Sequence, residues 1–124
     1  MSYARPLTAN RGTDAADRIL KLLPLMQQRA CEPFVLEEWS EQVGISVHYF
    51  CKLFRKITMM TPLDFITLCR MQMAKQWLLE QPSWTIKYIA KEAGYPSTSY
   101  FNQRFLAHEG KTPGEFRKLY LNFF

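Results

Sequence analysis

The sequence contains few of the residues from which catalytic and metal centres are built. It has 3 cysteines, which never stand in CxxC spacing, and 2 histidines that lie far apart along the chain. Such a pattern favours neither a disulfide framework nor a zinc site. The sequence also lacks a Ser/His/Asp set, a carboxylate pair and a phosphate-binding glycine loop. We therefore predict that the chain is not an enzyme and needs no cofactor or metal.

Long apolar runs are missing as well. No uninterrupted apolar stretch approaches 18 residues, and Arg5 and Arg11 are followed by Asp14 and Asp17 instead of a signal-peptide core. The sequence therefore predicts a cytoplasmic protein with no membrane partner. A chain of 124 residues leaves no room for a ligand-binding barrel, so no small-molecule ligand is expected in it.

Charge is moderately positive and is spread along the chain. The formal net charge is +5, and the basic residues are not concentrated in one tail. This distribution favours a polyanionic partner, although an ordinary basic soluble domain would have the same charge. The apolar content of 48%, with 15% aromatic residues, is sufficient for a packed core.

The strongest pattern is a repeat of about fifty residues. An offset of 51 superposes Ser46 on Ser97, Tyr49 on Tyr100, Phe50 on Phe101, Phe54 on Phe105, Thr61 on Thr112, Pro62 on Pro113 and Phe65 on Phe116. Upstream, an offset of 50 pairs Leu36 with Ile86, Trp39 with Ile89, Ser40 with Ala90, Val43 with Ala93 and Gly44 with Gly94. Solenoids need about three or more repeats to bury a shared core, so two copies predict two linked subdomains.

Each copy has the pattern of a helix-turn-helix. Apolar residues recur with the helical period and strand-like alternation is absent, which predicts an all-α fold with about seven helices. In each copy a short helix ends at a glycine, Gly44 or Gly94, and a serine, Ser46 or Ser97, caps the next helix. A short helix, a tight turn and a capped second helix make up this motif.

A long helix is predicted between the two motifs. Thr61 and Pro62 begin it, and its apolar residues lie on more than one face, which is typical of burial on several sides. We expect its first half to pack on the first motif and its second half on the other. Its length of about 27 Å compares with about 34 Å for one turn of B-DNA. The predicted organisation is a frayed N-terminus at 1–12, a first helix-turn-helix subdomain at 13–61 whose first helix is capped by Thr13, a linker helix at 62–79 and a second helix-turn-helix subdomain at 80–124.

Several short motifs point to a known family. In the second copy they are Ile86, Ile89-Ala90, Gly94-Tyr95, Ser99-Tyr100-Phe101, Phe105, Gly110, Thr112-Pro113 and Phe116-Arg117, and in the linker helix Arg70, Ala74 and Leu78-Leu79. With these motifs, residues 34–121 resemble the DNA-binding domain of AraC/XylS-family transcription regulators. The resemblance implies a bacterial, monomeric protein that binds double-stranded promoter DNA, acts mostly as an activator and contacts RNA polymerase. It also implies either a small stand-alone member or the C-terminal part of a longer regulator.

Two positions depart from the family pattern. Met59 stands where the family usually has a glycine after the first recognition helix, the place of Gly110 in the second copy. A non-glycine residue adopts the required left-handed conformation at a cost of about 1 kcal/mol. Leu106 stands where a lysine or arginine usually follows the phenylalanine of the sixth helix, which puts one phosphate contact in doubt.

The recognition helices are predicted at about 47–57 and 98–108, in two successive major grooves. Their repeated aromatic residues are interpreted as core anchors instead of stacking platforms for single-stranded bases: Tyr49, Phe50, Phe54, Tyr100, Phe101 and Phe105. The opposite faces should meet the grooves. The positions that the resemblance implies for base contact are His48, Cys51, Lys52, Thr98, Ser99, Asn102 and Gln103. The candidates for phosphate contact are Arg55, Lys56, Lys87, Lys91 and Arg104.

Other interpretations stay open for these residues. Each of them can be part of an ordinary solvated face. Cys51 can lie against a thymine methyl group or be a semi-buried thiol, and His48 lacks the partner that a metal site would require. For the whole chain, the alternative is a protein-interaction module derived from a helix-turn-helix fold without specific DNA binding, which Leu106, Cys51 and the short polar side chains of the sixth helix would favour.

Overall fold

The computed structural model describes residues 11–121, with side chains from Asp14 onward. All regular structure in this range is helical: α1 (Arg11–Gln28), α2 (Leu36–Val43), α3 (Val47–Thr58), α4 (Pro62–Glu80), α5 (Ile86–Glu92), α6 (Thr98–Glu109) and α7 (Pro113–Leu121). The prediction of an all-α fold with about seven helices is confirmed. Within these residues no helix has both the length and the apolar character needed to cross a bilayer.

The helices form two compact units. Unit 1 comprises the residues up to Gln28 together with Phe34–Phe65, and unit 2 comprises Arg29–Pro33 together with the residues from Ile66 onward. Each unit contains one helix-turn-helix, α2–α3 in unit 1 and α5–α6 in unit 2. The short segment after α1 therefore belongs to unit 2, although it precedes the first motif in the sequence.

α1 begins earlier than predicted. It starts at Arg11, so Thr13 lies inside the helix and not at its N-cap. The last two residues of the predicted frayed segment 1–12 are therefore helical, and the other ten lie outside the described residues. Helix ends depend on weak local preferences, and their positions shift readily by one or two residues.

In unit 1, one face of each of the helices α1, α2 and α3 is buried in the core. The buried residues of α1 are Ala15, Ile19, Leu22 and Met26, whose spacing places them on one face. α2 adds Trp39 and Val43, and α3 adds Phe50 and Phe54, which are fully buried. Because this face of α3 lies in the core, the opposite face remains available to a partner.

α4 belongs mostly to unit 2. Its residues as far as Phe65 group with unit 1, and those from Ile66 onward group with unit 2. From its second half, Met71, Ala74 and Leu78 lie inside the core of unit 2. The other members of that core are Ile89, Ala90, Ala93, Tyr95, Phe101, Phe105 and Phe116.

α7 is attached to the end of α4 by a side chain. The Arg117 guanidinium donates hydrogen bonds to the carbonyl oxygens of Leu78 (3.0 Å) and Gln81 (3.1 Å). Leu78 lies in the last turn of α4, where carbonyls have no partner within the helix, so Arg117 satisfies a group that would otherwise need water. The Gln81 carbonyl also accepts a hydrogen bond from the Trp84 backbone N–H at 3.0 Å. α7 itself begins with a reciprocal cap, in which the backbone N–H of Thr112 donates to the Glu115 carboxylate at 2.8 Å and lowers the pKa of that group.

Met59 ends α3 in the left-handed conformation, as predicted. Its φ is 64°, and it is the one non-glycine residue with a positive φ among residues 11–121. Its side chain is 83% exposed and therefore gains little from packing. We expect Met59→Gly to raise the free energy of unfolding by about 0.5–1 kcal/mol, because glycine adopts this conformation without Cβ crowding. Urea denaturation measures the change.

Gly110 provides the matched control, because it ends α6 at the equivalent place with φ 78°. A Cβ built on Gly110 would have nothing within 4 Å, so Gly110→Met introduces the backbone strain alone. We expect that substitution to lower stability by about 1 kcal/mol. An unchanged or lower denaturation midpoint for Met59→Gly would mean that the loop takes another conformation.

Candidate nucleic-acid interface

The two helix-turn-helix motifs are closed by the same local devices. The hydroxyls of Ser46 and Ser97 cap α3 and α6, and each accepts a hydrogen bond at 3.1 Å from the backbone N–H three residues later. Gly44 and Gly94 precede them with φ of 79° and 96°. These left-handed turns redirect the chain between the two helices of each motif, and they agree with the offset found in the sequence.

The repeated phenylalanines hold the recognition helices in their units. Phe50, Phe54, Phe101 and Phe105 are all fully buried, which confirms that they are core anchors. The same prediction is wrong for Tyr100, which is 51% exposed, and its counterpart in α3 is only half-buried. Each tyrosine precedes a buried phenylalanine by one residue, and a helix turns about 100° per residue, so the tyrosine lies at the edge of the buried face.

In unit 1 the face opposite the phenylalanines is polar and basic. His48, Lys52, Arg55 and Lys56 are exposed, and Cys51 is half-buried. Residues three and four apart lie side by side on a helix, so His48, Cys51 and Lys52 share one surface with Arg55. With Lys56, this surface carries three positive charges, two of them in the last turn of α3. It has the donors and the thiol that were predicted to contact bases and phosphates.

The corresponding face in unit 2 is less basic. Ser99 and Gln103 are exposed, whereas Thr98, Asn102 and Arg104 are half-buried. The Asn102 carboxamide oxygen is buried and has no hydrogen-bond partner among the described residues. A paired contact with adenine uses both the oxygen and the nitrogen of an amide, so Asn102 has to rotate before it can make one.

Leu106 is another residue that makes the exposed surface of α6 less basic. It is 46% exposed, at the position where the family usually has a basic residue. An exposed leucine has no donor for a phosphate oxygen, so α6 offers fewer backbone contacts than its length would allow.

A concavity lies between α5 and α6 in unit 2. Its volume is about 370 Å³, and it is lined by Thr85, Lys87, Tyr88, Lys91, Tyr95, Pro96 and Thr98. Both lysines are exposed. Sequence reasoning selected Lys87, Lys91 and Thr98 but missed Thr85 and Tyr88. The Thr85 hydroxyl caps α5 by accepting a hydrogen bond from the Tyr88 backbone N–H at 3.0 Å.

A buried arginine supports the turn that presents α6. Arg70 donates hydrogen bonds to the carbonyl oxygens of Ala30 (2.6 Å) and Glu32 (2.8 Å), and its guanidinium lies 5.3 Å from the centre of the Tyr95 ring. Burial raises the pKa of the Tyr95 hydroxyl, although the Arg70 charge acts in the opposite direction. Arg70 thus joins the segment after α1 to the Gly94–Tyr95 turn within unit 2.

A family model described as a helix-turn-helix domain matches residues 39–119, from within α2 to α7, and so covers most of the first motif and all of the second. The chain belongs to the AraC/XylS family of transcription regulators and is a DNA-binding domain of that family. A relative in this family is the RCS-specific HTH-type transcriptional activator RclR of Escherichia coli strain K12. It is 38% identical over 101 residues, which cover 82% of this chain and 35% of RclR.

Solved structures of the AraC/XylS type have the same fold. The DNA-binding domain of the global transcriptional factor AdpA, determined in complex with a target DNA, superposes with a TM-score of 0.78 at 20% identity and covers 83% of this chain and 92% of that one. An AraC-type transcriptional regulator from Chromobacterium violaceum gives a TM-score of 0.74 at 26% identity and covers 88% of this chain and 95% of that one. The chain spans about a third of the length of the curated relatives it matches.

Proposed function

We propose that this AraC/XylS domain recognises a specific double-stranded DNA sequence by placing α3 and α6 in two successive major grooves. The observation that carries the proposal is the same in both units. A pair of phenylalanines is buried on one face of the recognition helix, and hydrogen-bonding side chains lie on the opposite face. A helix anchored in this way can present its outer face to base edges without disturbing the core.

The two helices offer different base chemistry. In α3, Lys52 can reach guanine acceptors, His48 can form a hydrogen bond with a base edge, and Cys51 can contact a thymine methyl group. In α6, Asn102 and Gln103 match the donor and acceptor pair of adenine, and Thr98 and Ser99 can form hydrogen bonds with any base. The phosphate contacts are assigned to Arg55, Lys56, Lys87, Lys91 and Arg104.

We propose that the domain binds as a monomer to one asymmetric site of roughly two helical turns. Two non-identical motifs in one chain remove the need for a palindromic site. The experiment is selection of bound sequences from a random duplex library, followed by footprinting of the selected site. A two-fold symmetric footprint occupied by two copies would contradict the proposal.

The alternative function is a protein-interaction module without specific DNA binding. The exposed Leu106 and the buried amide oxygen of Asn102 favour it, because both weaken α6 as a DNA-contacting surface. A salt titration of binding to random duplex distinguishes the two functions. A DNA-binding protein loses affinity steeply as salt rises, with a slope of about 0.9 per phosphate contact in a plot of log affinity against log salt.

Base contacts and phosphate contacts should respond differently to mutation. Alanine at Asn102 or Gln103 is expected to cost about 1–3 kcal/mol on the preferred site and to relax preference at one or two base pairs, with little change on random DNA. Alanine at Arg55 or Lys91 is expected to weaken binding to every sequence and to lower the salt slope by about one. The measurement is affinity for preferred and scrambled duplex at several salt concentrations. Equal loss on both duplexes for the α6 variants would show that α6 does not contact bases specifically and would leave α3 as the specificity helix.

The remaining assignments concern the regulatory role. We propose that the domain activates transcription beside a promoter by contacting RNA polymerase, acts in the cytoplasm and catalyses no reaction. Support comes from the similarity to RclR, a transcriptional activator, and from the lack of catalytic motifs in the sequence. Single-round transcription on a template carrying the selected site, with and without the protein, tests activation directly.

A further inference from the structure

The first helices of the two motifs occupy equivalent positions. The offset of 50 pairs three residues of α2 with two of α5 and the residue that ends it, and all six are buried: Trp39 with Ile89, Ser40 with Ala90 and Val43 with Ala93. Each helix is followed by a left-handed glycine and then by a serine whose hydroxyl caps the recognition helix at 3.1 Å, with one more residue in the turn of unit 2. The two helices therefore bury corresponding faces, and their exposed residues at corresponding positions lie on the outer face of each motif's first helix.

With the same offset of 50, two pairs of corresponding exposed residues carry opposite charges. Lys87 in α5 corresponds to Glu37 in α2, and Lys91 corresponds to Glu41. All four side chains are exposed, so the difference does not arise from packing in one core. In each pair, unit 2 has an ammonium group, which can donate to a phosphate oxygen, and unit 1 has a carboxylate, which only accepts hydrogen bonds.

The other polar residues of the unit 2 concavity are also replaced in unit 1. Thr85 corresponds to Val35, which has no side-chain cap hydrogen bond, and Tyr88 corresponds to Glu38. Unit 1 also has Ile45 where unit 2 has Tyr95, and Val47 where unit 2 has Thr98. At the corresponding positions unit 1 therefore has none of the hydroxyl donors and neither of the cations that surround the concavity between α5 and α6.

We infer that the two units hold the DNA backbone unequally. Unit 2 binds a backbone phosphate in the concavity between α5 and α6 through Lys87 and Lys91, with Tyr88 and Thr98 as hydroxyl donors. In unit 1, Glu37 and Glu41 repel the phosphate at the same place, so α2 adds nothing to sequence-independent binding. Unit 1 is then held on DNA only by α3. The inference rests on the proposed function and adds to it an assignment of which unit supplies the contacts from the first helix of the motif.

The physical basis is the short range of surface electrostatics. The Debye length is about 8 Å at physiological salt, so only charges close to a phosphate influence it strongly. Carboxylates placed where the other motif has lysines would lie within that range of the backbone. Distant acidic residues would be screened, so the effect depends on position as well as on net charge.

Charge reversal at these four positions tests the inference. Lys87→Glu with Lys91→Glu is expected to lower the salt slope by about two, and Glu37→Lys with Glu41→Lys to raise it by about two, on preferred and scrambled duplex alike. A slope change of about two corresponds to about 16-fold in affinity between 50 and 200 mM salt. The controls carry the same change of net charge at exposed positions outside both motifs: Lys21→Glu with Lys118→Glu, and Asp17→Lys with Glu80→Lys. Both control slopes are expected to change by less than one.

If a charge-reversed variant does not fold, a milder double substitution provides the test. Glu37→Gln with Glu41→Gln removes the repulsion without adding a cation, and it is expected to raise affinity several-fold for both duplexes. Slopes or affinities that change no more than in the controls would overturn the inference and leave the proposed function standing. Wild-type protein that binds duplex without salt dependence would instead overturn the proposed function.

Discussion

Phe105→Ala is expected to lower the free energy of unfolding of unit 2 by about 3–5 kcal/mol. Phe105 is fully buried in α6, and its ring lies 5.8 Å from Phe101 and 5.5 Å from Phe116. Truncation removes a large apolar side chain and leaves a cavity between aromatic neighbours that cannot close completely. The effect reaches function because α6 carries the proposed adenine-contacting residues.

Tryptophan fluorescence allows the loss to be measured in unit 2 alone. Trp77 and Trp84 pack against the core of unit 2, whereas Trp39 is buried in unit 1. A Trp39→Phe background therefore restricts the signal during denaturation to unit 2. Leu106→Ala is the control, since it truncates the adjacent but exposed side chain and should change stability by no more than about 0.5 kcal/mol. A loss below about 1 kcal/mol for Phe105→Ala would contradict the assignment of Phe105 as a core anchor.

Gly94→Ala is expected to destabilise unit 2 by about 2–5 kcal/mol. The φ of Gly94 is 96°, and an alanine there has to adopt a left-handed conformation at a cost of about 1–2 kcal/mol. A Cβ would also lie 2.8 Å from the carbonyl oxygen of Cys31 and 3.1 Å from Nε of Arg70. Relieving this contact requires a shift of backbone and of a buried arginine, which adds about 1–3 kcal/mol.

Substitution of Gly44 distinguishes the cost of the left-handed conformation from the cost of the close Cβ contact. It has φ 79° at the equivalent turn of unit 1, but a Cβ placed on it would meet nothing within 4 Å. Gly44→Ala should therefore show the conformational cost alone, about 1–2 kcal/mol. Chemical denaturation of both variants gives the comparison. Equal losses would mean that the segment after α1 moves away from the turn at little cost.

The fold was predictable to the extent that it depends on local pattern. The serine caps, the glycine turns and the helical period of the apolar residues all act within one or two turns of the chain, and they were sufficient to predict the helices. The repeat added the register between the two motifs. Because the register places Met59 opposite Gly110, it also led to the left-handed end of α3.

The candidate site was predictable only in part. The exposed and half-buried positions of the predicted residues in α3 and α6 agree with a surface opposite the phenylalanines. The exposure of Tyr100 and the buried amide oxygen of Asn102 did not follow from the pattern, because both depend on side-chain packing at the edge of the core. The concavity of unit 2 likewise depends on how α5 and α6 approach each other.

Sequence alone determined the all-α class, the two motifs and the buried phenylalanine pairs, because each depends on residues close together in the chain or on comparison between the copies. Only the tertiary structure shows what supports the Gly94–Tyr95 turn of the second motif. Arg70 bonds to carbonyl oxygens 40 and 38 residues away in the sequence, at Ala30 and Glu32. Backbone carbonyls are present at every residue, so no side-chain pattern marks the ones that a buried arginine will find. It is the packing of α4, with Met71, Ala74 and Leu78 in the core of unit 2, that brings the segment after α1 within reach of Arg70.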